Sequence, residues 1–173
     1  MKKINIVLYQ PEIPQNTGNI IRTCVGTNAK LHLIKPLGFK FDKQSLKRYA
    51  VNYIDKLEYE LYEDYNDFFN KNKDKGKFYY ITRYGKKTYN TIEVQDDVYF
   101  IFGKESTGID YHILKDNLSD CYRIPINDKI RALNLSNSVC IILFNYLEKI
   151  NFEGLSIYEP ESLKGKDFLN HIE

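Results

Sequence analysis

Apolar positions along this chain fall in short runs separated by polar, helix-spaced stretches, and the runs read as strands. Ile4 to Tyr9 is continuous enough for a buried strand, and QPEIPQNTG then breaks it with two prolines and a glycine. Asn16 or Thr17 is placed to cap a helix reaching Asn28, because a short polar side chain accepts from the free amides of a first turn. Leu31 to Ile34 is a second strand, ended by Pro36 and Gly38, and residues 43–52 read as a short helix with Lys43, Lys47 and Arg48 on one side. Leu57 to Tyr62 is a weak strand and Asp64 to Lys73 a polar helix. Phe78 to Thr82 and Val98 to Phe102 are rich in β-branched and aromatic residues, as is Tyr122 to Ile126, and all three are predicted strands. Ser136 to Ile150 is the clearest helix, with Val139, Ile142, Leu143 and Tyr146 at helical spacing.

Strands of this length alternating with helices predict an α/β fold, a mostly parallel sheet flanked by helices. The polar and acidic segment 156–173 reads as a tail after a domain spanning 1–155. Ligands of parallel α/β sheets sit beyond the carboxyl ends of the strands. That rule singles out the turns 10–18, 103–108 and 127–136.

Composition narrows the class. With 173 residues, 43% hydrophobic and 28% charged, the chain has the length and apolar content of one globular domain, and disorder is excluded. The net charge of +2 says little, but residues 1–50 hold nine basic groups against Glu12 and Asp42, while the rest is mildly acidic. A basic first third predicts one face built to meet a polyanion. Three cysteines, Cys24, Cys121 and Cys140, with no CxxC pair fit reduced thiols and a cytoplasmic setting. No apolar run suits a signal peptide or a membrane span, so no membrane partner is expected. His32, His112 and His171 show no metal-ligand spacing, and no metal is expected.

Each of the three turns, taken alone, reads as local structure. FGKESTG (102–108) is a glycine turn that matches neither a nucleotide-triphosphate loop nor a dinucleotide fingerprint. QNTGNIIR (15–22) is a helix start with Arg22 one turn in, an arrangement that also suits a phosphate or an oxyanion. IRALNLSNSV (130–139) carries capping residues over a longer stretch than a cap requires. Tyr79, Tyr80, Tyr84 and Tyr89 surround Arg83, Lys86 and Lys87, and aromatics among cations can stack bases as readily as they fill a core.

Taken together and in this order, LYQPEIPQNTGNIIRTC (8–24), YFIFGKESTG (99–108) and RIPINDKIRALNLSNSV (123–139) resemble the three motifs of the SPOUT superfamily of RNA methyltransferases. Within it the chain resembles the small TrmL-like tRNA (cytidine/uridine-34-2′-O)-methyltransferases, over residues 3–155. The resemblance implies an α/β knot with a C-terminal trefoil formed by 103–108 and 127–136, an obligate homodimer, and S-adenosylmethionine as methyl donor. It implies transfer to the ribose 2′-hydroxyl of the tRNA wobble nucleotide. The positions matching the family's cofactor contacts, made largely by backbone, are Ile81, Gly103, Ile124, Ala132 and Leu133, with glycine at 103 allowing close approach to the adenosine. The matching catalytic residue is Arg22, supported by Asn16. A guanidinium stays protonated, so the role implied for Arg22 is to bind the adjacent phosphate and stabilise charge as the hydroxyl loses its proton. Lys35, Lys40, Lys43, Lys47 and Arg48 form the expected tRNA-backbone surface. Ala132 and the pair Phe144-Asn145 depart from the Ser and Tyr-Glu common in relatives. Two alternatives stand beside this reading: a methyltransferase of another RNA site such as ribosomal RNA, and a non-catalytic RNA-binding dimer.

Overall fold

The computed structural model describes residues 2–42 and 53–172. Seven strands, β1 (Lys3–Tyr9), β2 (Lys30–Ile34), β3 (Tyr59–Tyr62), β4 (Lys77–Ile81), β5 (Lys87–Thr88), β6 (Asp97–Phe102) and β7 (Cys121–Arg123), form one sheet. Its order is β3-β2-β1-β6-β4-β7-β5, and every pairing is parallel. Helices α1 (Pro14–Thr27), α2 (Tyr65–Asn72), α3 (Tyr111–Asp116) and α4 (Leu135–Lys149) connect and flank it.

Both faces of the sheet are covered, which is why β1 is apolar at nearly every position. One face packs Ile4, Ile6 and Leu8 of β1 against Ile20, Ile21 and Cys24 of α1 and Val139, Ile142 and Leu143 of α4. The other packs Val7, Ile101, Phe78 and Tyr80 against Phe68 of α2 and Leu114 of α3. Each fully buried aliphatic side chain contributes about 1.5–3 kcal/mol relative to exposure. Tyr146 joins α4 to the sheet's far end, its hydroxyl donating to the Gln95 carbonyl at 2.9 Å and accepting from the Gln95 amide at 2.9 Å.

Several boundaries differ from the sequence reading. Helix α1 begins at Pro14, not at a cap on Asn16 or Thr17, because proline's fixed φ suits a first helical position. Neither Asn16 nor Thr17 is exposed: both are buried inside the helix. Strand β7 stops at Arg123, short of Ile126; its outer partner β5 has only two residues, and Pro125 offers no amide to a ladder. Strand β3 starts at Tyr59, because Leu57 closes a 3-10 turn over Ile54–Lys56. The helix expected over 43–52, with Lys43, Lys47 and Arg48, lies outside the described residues. After α4, Leu155 still packs against the core, while Ile157, Tyr158, Leu163 and Leu169 are exposed. All three cysteines are free. Among the described residues no helix is long and apolar enough to cross a membrane.

Candidate active site

The chain lays β1, β2 and β3 outward in one direction, crosses to β4, and later inserts β6 between β1 and β4. The carboxyl ends of β4, β6 and β7 therefore open together, and there lies a cleft of about 650 Å³. Ile81, Gly103, Ile124, Ala132 and Leu133, spread over 53 positions of sequence (81 to 133), all line it, as does Asn16. Its volume falls within the roughly 300–1,000 Å³ of small-molecule sites.

A hydrogen-bond network fixes the three loops against one another. Beyond β1 the backbone turns at Gln10 (φ 51°), whose side-chain oxygen accepts from Lys104 Nζ at 3.3 Å. The Glu12 carboxylate accepts from the Ser106 amide at 2.8 Å and the Ser106 hydroxyl at 2.8 Å. Those two donors, the amide first, hold the Glu12 carboxyl below its ordinary range. In return, Glu105 accepts from the Glu12 amide at 2.8 Å, the Ile13 amide at 3.3 Å and Asn16 Nδ2 at 2.9 Å. Helix α1 has no side-chain cap of its own, so the carboxylate of Glu105, from the distant 103–108 loop, sits at its amino end. Asn16 Oδ1 in turn accepts from Asn134 Nδ2 at 2.9 Å, while Asn134 Oδ1 caps α4 through the Ser136 amide at 2.9 Å. Asn16 thus joins all three segments with one amide.

Gly103 owes its identity to its own loop. A Cβ there would collide with the backbone of Gly108 and Ile109, where the chain folds back through the Lys104–Gly108 bridge and Gly108 takes φ +79°. The sequence reading had assigned this glycine to cofactor approach; the closure of the 103–108 loop already excludes any side chain.

Arg22 is not among the cleft residues. It is exposed on α1, with its guanidinium carbon 5.5 Å from the Tyr53 ring centroid. Lys35 pairs with Glu63 at 2.7 Å and Lys40 with Asp42 at 3.3 Å, away from the cleft lining. Of the four tyrosines around Arg83, Tyr79 and Tyr80 are core residues, Tyr89 is half-buried, and only Tyr84 is exposed. Arg123 and Tyr111 are among the cleft residues that went unmarked in the sequence. Arg123 has a buried Nε with no hydrogen-bond partner among the described residues, and Tyr111 stands on the rim. Arg123 falls within a quoted motif, a signal that could have marked it; Tyr111 is brought to the site only by the fold.

A wholly parallel sheet with a ligand-sized cleft at its carboxyl ends, walled by three interlocked loops, is the architecture of a small-molecule-binding α/β domain. The chain belongs to the SpoU rRNA methylase family, whose model matches residues 3–144. A relative from Listeria monocytogenes, named as an inferred tRNA (cytidine(34)-2′-O)-methyltransferase, is 48% identical over 90% of this chain and 93% of its own. The Yersinia pestis tRNA (cytidine(34)-2′-O)-methyltransferase is 35% identical over 90% and 99%. A crystal structure of an inferred RNA methyltransferase from Bacillus anthracis superposes with TM-score 0.84 at 43% identity, covering 89% of this chain and 98% of that one. A structure concerned with 2-OH methylation of C/U34 on tRNA gives TM-score 0.80 at 28% identity, over 87% and 92%. An AdoMet-bound rRNA methyltransferase from Sinorhizobium meliloti shares the fold, with TM-score 0.76 at 21% identity, over 86% and 57%.

Proposed function

We propose that this protein transfers a methyl group from S-adenosylmethionine to the ribose 2′-hydroxyl of the wobble nucleotide, position 34, of tRNA. The observation that carries the reading is near-full-length similarity to relatives named for that activity, within a family whose model spans all three cleft loops. The cleft suits the cofactor chemically: Ile81, Ile124 and Leu133 offer apolar wall beside open backbone, and the buried Nε of half-buried Arg123, without a partner among the described residues, is a donor for an anionic group. When bound, the cofactor supplies an electrophilic methyl on a sulfonium. Ile81, Gly103, Ile124, Ala132 and Leu133 would hold it.

The chain's own contribution is positioning, and holding two reactants in line supplies much of such a rate. Asn16 acts by holding the loops together, since both ends of its amide are engaged. Arg22 binds the phosphate next to the target ribose and stabilises the oxygen as its proton leaves. Its exposed position outside its own cleft supports a homodimer in which each protomer brings Arg22 to the open side of the other's cleft. Lys35, Lys40, Lys43, Lys47 and Arg48 are the proposed tRNA-backbone contacts. The pairs Lys35–Glu63 and Lys40–Asp42 are surface pairs worth about 0–1 kcal/mol, so these lysines can exchange partners for phosphates. On this reading 1–155 is the methyltransferase domain, its 103–108 and 127–136 segments form the trefoil knot, and the protein works in the cytoplasm.

The test is incubation with radiolabelled S-adenosylmethionine and tRNA lacking wobble methylation, followed by nuclease mapping. Label confined to the 2′-oxygen of position 34 is expected. Label at another nucleotide, or on ribosomal RNA instead, would overturn the substrate.

A further inference from the structure

On the rim of the cleft, two aromatic rings and a guanidinium are held together by contacts that leave the rings open to solvent. Tyr84 is 46% exposed and Tyr111 65% exposed, and with Arg83 both line the cleft. Arg83 Nη2 donates to the Tyr84 hydroxyl at 2.6 Å, with its Cζ 4.7 Å from that ring's centroid. The Tyr84 and Tyr111 hydroxyls are 3.2 Å apart, and the rings meet edge to face, centroids 5.7 Å apart at 81°.

Both rings are carried on rigid supports. Arg83 and Tyr84 form the tip of a tight turn directly after β4, closed by the Gly85 amide to the Thr82 carbonyl at 3.2 Å and the Tyr84 amide to Thr82 Oγ1 at 3.3 Å. That turn is pinned to β7 by the Thr82 amide donating to the Tyr122 carbonyl at 2.8 Å. A Cβ on Gly85 would lie 2.5 Å from the Tyr122 carbonyl carbon, so the turn is packed tightly against the strand. Tyr111 opens α3 beside buried Ile109, in a turn where Asp110 accepts from the His112 amide at 2.8 Å. Single exposed aromatics are ordinary on protein surfaces. Two rings and a cation prearranged beside a ligand cleft, at no interior they could fill, are a stacking surface with its ordering entropy already spent. The apolar wall deeper in the cleft, Ile81, Ile124 and Leu133, serves the cofactor, which leaves the rim to the second reactant.

We propose that Tyr84 and Tyr111, braced by Arg83, stack an unpaired nucleobase of the RNA loop next to the methylated nucleotide and so position the target ribose. Stacking needs only a π-face and reads no sequence, so it suits loops whose bases differ between tRNAs. Arg83, being cationic, also faces the phosphate of the stacked nucleotide. The inference rests on the RNA-methyltransferase reading above and adds the rim as the RNA subsite.

The probe is a synthetic anticodon stem-loop with unmethylated cytidine at the wobble position, with affinity read by fluorescence anisotropy at fixed salt. Tyr111→Ala and Tyr84→Ala should each weaken binding about 5- to 150-fold, the range for losing one base–aromatic stack. They should raise KM for the RNA and leave both the thermal melt and the calorimetric affinity for S-adenosylmethionine unmoved. Tyr111→Phe, which keeps the ring, should bind within about twofold of wild type if stacking rather than the hydroxyl matters. In stem-loops lacking one loop base at a time, one abasic position should erase the difference between wild type and Tyr111→Ala. Alanine variants that bind like wild type would overturn the proposal, as would variants that lose cofactor and not RNA. Wild-type protein that neither binds nor methylates the stem-loop would overturn the tRNA reading itself and this subsite with it.

Discussion

Acidification should destabilise this protein through one buried imidazole. His32 on β2 is 1% exposed, with Nδ1 2.7 Å from the Tyr62 hydroxyl and Nε2 2.9 Å from Asn5 Oδ1. Asn5 uses its amide nitrogen on the Val98 carbonyl, so its oxygen accepts from Nε2–H and Nδ1 accepts from Tyr62. With Nε2 already donating, a second proton must go to Nδ1 and displace the Tyr62 hydroxyl proton that it accepts. Burial first, then the Lys30 charge, push the imidazole down to about 3 from its ordinary 6.5; Glu60 opposes them, and Lys75 adds a smaller push in the same downward direction. The unfolded chain takes up this proton below about 6.5 while the folded one resists until about 3. Stability from this group is therefore full above the unfolded value and drains as pH falls. At about pH 5, some 1.5 units below the unfolded value, the loss is about 2 kcal/mol at 1.36 kcal/mol per unit. Urea unfolding at about pH 7.5 and pH 5, at fixed protein concentration, reads this as a midpoint drop of about 1 M. In His32→Gln the midpoint starts lower but should lose that extra pH dependence. Equal pH dependence in wild type and variant would refute the argument, since the imidazole would then protonate as freely folded as unfolded.

Asn16→Ala removes one partner each from Glu105 and Asn134 and should cost about 1–3 kcal/mol; a calorimetric melt unchanged from wild type would show that the amide does not hold the loops. Gly103→Ala forces the 103–108 loop open and should abolish detectable cofactor binding, whereas Gly26→Ala, with nothing within 4 Å of the added carbon, should leave it intact and stabilise α1 by about 0.5–1 kcal/mol. Arg22→Ala should eliminate methyl transfer while the fold and cofactor affinity remain, and full activity in that variant would remove its assigned role. Converting Lys43, Lys47 and Arg48 to Glu should weaken tRNA binding and flatten its salt dependence by up to about three phosphate contacts; unchanged affinity at low salt would locate the RNA surface elsewhere.

The sequence by itself determined those parts whose causes are local. A strand covered on both faces must be apolar at successive positions, so β1, β4 and β6 stand out as runs, and α4 shows its core stripe at helical spacing. The three loops were legible because strands ending in glycine-rich and Asn-rich turns mark the carboxyl edge of a parallel sheet, and their order carried the family resemblance. Tertiary structure alone decided what those turns do to one another. Insertion of β6 between β1 and β4 brings Glu105 to the amino end of a helix begun ninety-odd residues earlier, turning Asn16 from an apparent cap into a tie between loops. The same topology seats Tyr111 against Tyr84, 27 residues apart, and leaves Arg123 with a buried donor in the cleft. No periodicity or propensity signals such contacts, because their energy comes from groups whose proximity is set by strand order, and strand order is a property of the whole packed sheet.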